Sequence, residues 1–142
     1  MHLITGGAFN GKKKWVIAAY QLDAIPHLWH SFYKEGKLPE WTEDTVILEG
    51  MERYVRRLLD GEDTPDAVRS CWKAELESWV AWESQRSERR LILIGTDITK
   101  GIVPANAFDR KWRDAAGWCF QEAAAQAERV ISIWYGLPQR LK

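Results

Sequence analysis

A glycine-rich turn set directly after the first apolar segment constrains this chain more than any other feature. The opening reads "HLITGGAFNGKKKWVIAAY". A short apolar run meets Gly6 and Gly7, and Gly11 and Lys12 follow at the spacing G-x-x-x-x-G-K. In a phosphate-binding loop of this spacing a strand ends in the turn and a helix begins inside it. Glycine lets backbone N–H groups approach an anion, the helix N-terminus adds its positive end, and the lysine neutralises the outer phosphates. Gly6, Gly7, Ala8, Phe9, Asn10, Gly11, Lys12 and Lys13 are therefore the candidate nucleotide-binding residues. The same residues also admit a plainer reading, an ordinary strand-to-helix turn with a solvated lysine. The loop pattern calls for Ser or Thr at its last position, to ligate Mg²⁺, and Lys13 stands there instead. An ammonium repels a cation but offsets phosphate charge itself. The expectation is phosphate or nucleotide binding with little dependence on Mg²⁺, and slow or absent phosphoryl transfer.

The rest of the chain alternates between strand-like and helix-like segments. Strands are predicted at His2–Thr5, at "TVILE" from Thr45, at "RLILIGTD" ending in Asp97, and at "RVISIWYG" near the C-terminus. Helices are predicted from Lys12 to about Tyr20, His27 to Gly36, Met51 to Leu59, Pro65 to about Arg89 and Pro104 to about Glu128. Thr64-Pro65 is a strong helix start, with Thr as the cap and Pro in the first turn. Strands separated by helices imply an α/β fold, a mostly parallel sheet with helices on both faces in three layers. Ligands bind at the carboxyl ends of such strands. The loop Gly6–Lys13 falls there, with Glu49 and Asp97 as candidate catalytic carboxylates that hold a metal or accept a proton.

Composition bounds the partners. Apolar residues make up 46% and charged residues 28% of the 142, which suits one domain over 1–142. The formal net charge is zero, giving no electrostatic case for nucleic acid. No apolar run is long enough for a membrane span, and no secretory leader is visible. Cys71 and Cys119 are far apart and expected to be reduced, in the cytoplasm.

The second half carries a more specific signal. "GIVPAN" from Gly101, "RKWRDAAG" from Arg110 and "GLPQRLK" from Gly136 resemble segments of the adenosylcobinamide kinase/adenosylcobinamide-phosphate guanylyltransferase family. "LITGGAFNGKK" and "VILEGMERYVRRLL" resemble its phosphate loop and its acidic strand end. The resemblance implies a P-loop domain, commonly trimeric, that binds GTP or ATP and acts on adenosylcobinamide in cobalamin (vitamin B12) biosynthesis. It further implies a kinase step and a guanylyl transfer through a histidine. An alternative is a diverged member that keeps the pocket but has little catalysis and serves a binding or regulatory role.

Several positions depart from the family pattern. Thr96-Asp97 stands for Asn-Glu, and Ala105 for the Glu of V-P-E-N. In "FYKEGKLPEW", Phe32 and Tyr33 occupy positions where the family carries histidine. His30, two residues earlier, is the candidate displaced nucleophile, competing with a packing role beside Trp29 and Phe32. His27 and His30 would share a helical face, but no third ligand completes a metal site. The chain has nine Trp. Trp72, Leu76, Trp79 and Trp82 form a stripe that suits core or subunit interface, and the surplus favours a homo-oligomer, with a trimer expected.

Overall fold

The computed structural model describes residues 1–61 and 64–142. One six-stranded sheet runs through it in the order β2-β3-β4-β1-β5-β6. Its strands are β1 (His2–Thr5), β2 (Leu28–Ser31), β3 (Thr45–Glu49), β4 (Arg90–Ile94), β5 (Arg129–Trp134) and β6 (Leu137–Arg140). All pairs are parallel except β5 with β6. The helices are α1 (Lys12–Ala19), α2 (Met51–Gly61), α3 (Pro65–Ser84) and α4 (Ala107–Gln126). Together they give the α/β, P-loop-type layout with helices on both faces.

Side-chain alternation along the central strands explains the layers. Ile4, Ile47, Ile92, Ile94, Ile131 and Ile133 face one way and bury against Val16 of α1. Leu3, Val46, Leu48, Leu91, Leu93 and Val130 face the other way, under α2, α3 and α4. Both faces are covered, so these strands read as nearly continuous apolar runs. No helix among the described residues is long and apolar enough to cross a membrane.

Three element assignments change. The segment from His27 is not a helix: Leu28–Ser31 is an edge strand, paired in register with Val46–Glu49. Pro26 pushes the preceding residue toward extended backbone, and Ile25 is extended at φ −129° and ψ 146°. Only a 3₁₀ turn, Leu22–Ala24, separates α1 from this strand. A lone helix of that length is marginal in water, whereas a sheet edge supplies partners for its backbone. The second change is at α4, which starts at Ala107 rather than Pro104. Asn106 caps it, its side chain accepting from the N–H groups of Phe108 and Asp109. Third, β6 is an added strand, reached through a Tyr135-Gly136 turn with φ of 51° and 78°. Positive φ at both central residues is the hairpin geometry that matches strand twist. The long helix α3 stops at Ser84, and α2 includes Gly61.

Candidate functional site

Parallel pairing brings the ends of β1, β3 and β4 to one edge of the sheet. The turns that leave them are stitched together. Gly50 N–H donates to Ile94 O at 2.9 Å, Gly95 N–H to Ile4 O at 3.0 Å, and Asp97 N–H to Gly6 O at 3.0 Å. Gly6 is required by space as well as by its φ of 132°, because a Cβ there would lie 2.3 Å from Ile133 O. Over this edge lies a cleft of about 600 Å³. Ala8–Lys13 form one wall, and Tyr33, Glu49, Glu52, Thr96 and Trp112 are among the facing residues.

Lys12 reaches back across its own loop, donating to Gly6 O at 3.2 Å and Gly7 O at 2.7 Å. Burial lowers its pKa from the usual lysine value, and the charges of Glu52 and then Glu49 oppose that shift. Glu49 and Glu52 line the same cleft as Lys12. The first N–H groups of α1 have no intrahelical acceptor, and Gly11 offers no side-chain cap. They remain available to phosphate oxygens. Lys13 is exposed, with Nζ 4.9 Å from the centre of the Trp29 ring. Asn10 serves the scaffold: its Oδ1 accepts from Tyr135 N–H at 3.0 Å, and its carbonyl accepts from Gly136 N–H. Phe9 is fully exposed with φ of 58°, a strained setting for a bulky residue, and lines the cleft.

The acids divide their roles. Glu49 accepts a hydrogen bond from Trp29 Nε1 at 3.0 Å through Oε2 and lines the cleft. Asp97 does not line it. Its Oδ1 accepts from Thr99 N–H at 2.9 Å and Thr99 Oγ1–H at 2.5 Å, while Lys100 lies 3.7 Å from Oδ2. That is a local turn closed by the side chain two residues back. Of the carboxylates, Glu49 and Glu52 line the cleft and Asp97 does not. Glu52 is buried, accepts from Thr96 N–H at 2.8 Å, and accepts from the Tyr33 hydroxyl. Its sequence signal was present: an acid in the first turn of a helix that starts at a strand end. What hid it was the tertiary contact with Tyr33 and Thr96, which no local pattern encodes.

His30 lies outside the cleft lining. It is buried on β2, edge-on to Phe32 at 4.6 Å, with Nδ1 3.7 Å from Glu35. Burial lowers its pKa. His27 and His30 are not stacked on a helix, so the shared face is lost. Its burial and its ring contact with Phe32 are what the packing reading expects. Tyr33, in contrast, enters the cleft, with its ring against Gly50, where a Cβ would sit 3.1 Å from it.

The residues shared with the family's second-half segments build the loop beside the cleft. Arg110 donates to Pro104 O and Ala105 O at 2.9 and 2.6 Å. Arg113 donates to Ile102 O at 3.2 Å and to Thr99 O. Trp112 Nε1 donates to Glu52 O at 2.6 Å, tying α4 to α2 under the site.

The sequence model of the cobinamide kinase / cobinamide phosphate guanyltransferase family matches residues 26–141. The chain is 25% identical to the bifunctional adenosylcobalamin biosynthesis protein CobU of Escherichia coli (strain K12), over 100% of this chain and 99% of that one. The same protein of Salmonella typhimurium gives the same identity and coverage. Both alignments extend over 181 positions, so this 142-residue chain is the shorter partner. The bifunctional adenosylcobalamin biosynthesis protein CobP of Pseudomonas aeruginosa is 40% identical over 53 residues, 37% of this chain and 31% of the relative.

Proposed function

Because the chain belongs to the cobinamide kinase / cobinamide phosphate guanyltransferase family, we propose that it phosphorylates adenosylcobinamide, with or without guanylyl transfer, in adenosylcobalamin biosynthesis. The observation that carries the reading is the convergence of Lys12, the α1 N-terminus, Glu49 and Glu52 on one cleft. In this reading the backbone of Gly6–Lys13 holds the triphosphate of GTP or ATP. Lys12 leaves its two carbonyls for the outer phosphates. Positioning and charge neutralisation are most of what phosphoryl transfer asks of a protein. Glu49 keeps one oxygen free of hydrogen bonds among the described residues, so it is the residue suited to a cation. Lys13 supplies positive charge where the loop pattern has a hydroxyl, and this lowers the need for metal. The enzyme works in the cytoplasm as a homo-oligomer, with a trimer favoured.

The phosphoryl step is the better-supported half, since Tyr33 occupies the cleft at a place the resemblance gives to histidine. The test is incubation with GTP and either adenosylcobinamide or its phosphate, each corrinoid product being separated and scored. Phosphorylated adenosylcobinamide is expected, with little guanylylated product. Neither product from a folded protein would favour the alternative, a phosphate-ligand pocket without turnover.

A further inference from the structure

Glu52 is the one carboxylate among the buried residues described, at 3% exposure. A buried negative charge costs several kcal/mol unless it is paired and hydrogen-bonded. Three features offset that cost. It lies in the first turn of α2, its charge opposes the lowering of the Lys12 pKa by burial, and both its oxygens accept hydrogen bonds. Beside it on α2, Met51, Tyr54, Val55 and Leu59 are buried as an apolar stripe. The charge is held at the cleft.

The two bonds to Glu52 differ in kind. Thr96 N–H is fixed backbone. Tyr33 is half-exposed, and its hydroxyl also lies 3.4 Å from Thr96 Oγ1. Both residues line the cleft. With Oε2 committed to Thr96 and Oε1 to Tyr33, Glu52 reaches a bound acceptor through the phenol. We propose that Glu52, acting through the Tyr33 hydroxyl, receives the proton that the acceptor hydroxyl releases when phosphate is transferred to it. This rests on the kinase reading above.

The step balances without a further reactant. The acceptor oxygen forms a bond to the γ-phosphorus, and the bond from that phosphorus to the bridging oxygen breaks. The electron pair leaves with the nucleoside diphosphate. The acceptor proton passes to the Tyr33 oxygen as the Tyr33 proton passes to Glu52, and it later returns to solvent by the reverse path. Burial, then the hydrogen bond to Glu52, pushes the Tyr33 pKa up to about 12, so the phenol stays protonated and relays rather than ionises. The charged groups around the pair are Lys12 and Lys13 of α1, Glu49 at the end of β3, and Arg53 of α2. Asp97 is held by Thr99 outside the cleft lining, and the free oxygen of Glu49 is the one assigned above to a cation.

Single-turnover phosphorylation of adenosylcobinamide by GTP tests the relay, in water and in deuterium oxide, across pH. Tyr33→Phe and Glu52→Gln are each expected to slow the step by about 100-fold or more. Affinity for GTP, measured by calorimetry, should stay unchanged in Tyr33→Phe, which alters no charge. The deuterium slowing expected of the wild type should vanish in Tyr33→Phe and in Glu52→Gln. A purely structural role would leave the isotope effect in place. Should Glu52→Gln not fold, Tyr33→Phe decides alone, because its side chain is half-exposed. Tyr33→Phe turning over at the wild-type rate with the same isotope effect would overturn the relay and leave the kinase reading intact. A wild type that binds GTP but makes no phosphorylated corrinoid would overturn both.

Discussion

Lys13 and His30 show how position decides what a charged side chain can do. Lys13 follows the loop lysine, yet its ammonium rests over Trp29 and stays in solvent, within reach of the same cleft. His30 is buried beside Phe32, and its Nε2 has no hydrogen-bond partner among the described residues. Burial lowers the folded-state pKa of His30, and also of His2. The unfolded chain therefore binds more protons than the folded one below the usual histidine value of about 6.5. Stability should be full above that pH and fall as pH drops through it, by at most about 1.4 kcal/mol per pH unit for each histidine. Denaturant unfolding between pH 7.5 and 5 checks this. His30→Gln should show a shallower loss than the wild type, and an equal slope would remove His30 as a cause. The placement of Gly6, Lys12 and Glu49 at strand ends was legible in the sequence because the loop spacing and the apolar strands fix it locally. The placement of Glu52 and Tyr33 in the cleft lining, and of Asp97 outside it, was not, because side-chain contacts across elements decide it.

Among elements, the strands with strong apolar runs were legible, and β2 and β6 were not. β2 carries His30 and Trp29 in a pattern that also fits a short helix, and pairing with β3 settles the choice. β6 has Pro138 in the strand and every residue exposed, so no alternation announces it. Its cause lies in the turn before it, clamped to the phosphate loop through Asn10. The start of α4 is set by a side chain too. Removing the Asn106 cap by Asn106→Ala should cost about 1 kcal/mol in denaturant unfolding. The same change should loosen the loop held by Arg110 and Arg113 and weaken corrinoid turnover more than GTP binding. No loss of stability would mean that the cap is made by other groups.

For the whole molecule, the surplus of Trp has a partly internal explanation. Trp72 and Trp79 are buried, packed with Tyr54 and Trp41, so this part of the stripe is core rather than interface. Exposed apolar side chains lie elsewhere, among them Phe9, Ile102, Val103, Trp134, Tyr135 and Leu137. Surface of this kind commonly marks association, and the expected assembly is a trimer. Multi-angle light scattering at micromolar concentration should give about three times the 16.5 kDa chain mass. A monomer would leave that surface to ligands. The overall architecture was readable because alternating strands and helices permit few parallel topologies. Assembly was not, since an exposed apolar side chain does not name its partner.

In the proposed reading the loop and the strand-end acids form a working nucleotide site in which Lys12 binds phosphate and Lys13 reduces the need for metal. Calorimetric titration of GTP into the wild type and Lys12→Ala, with and without Mg²⁺, tests it. Wild-type binding should be nearly the same in both buffers. Loss of a charge-assisted contact of roughly 1.5–3 kcal/mol should weaken binding to Lys12→Ala by about tenfold or more. Equal affinity in the two proteins, or wild-type binding only with Mg²⁺, would contradict the account.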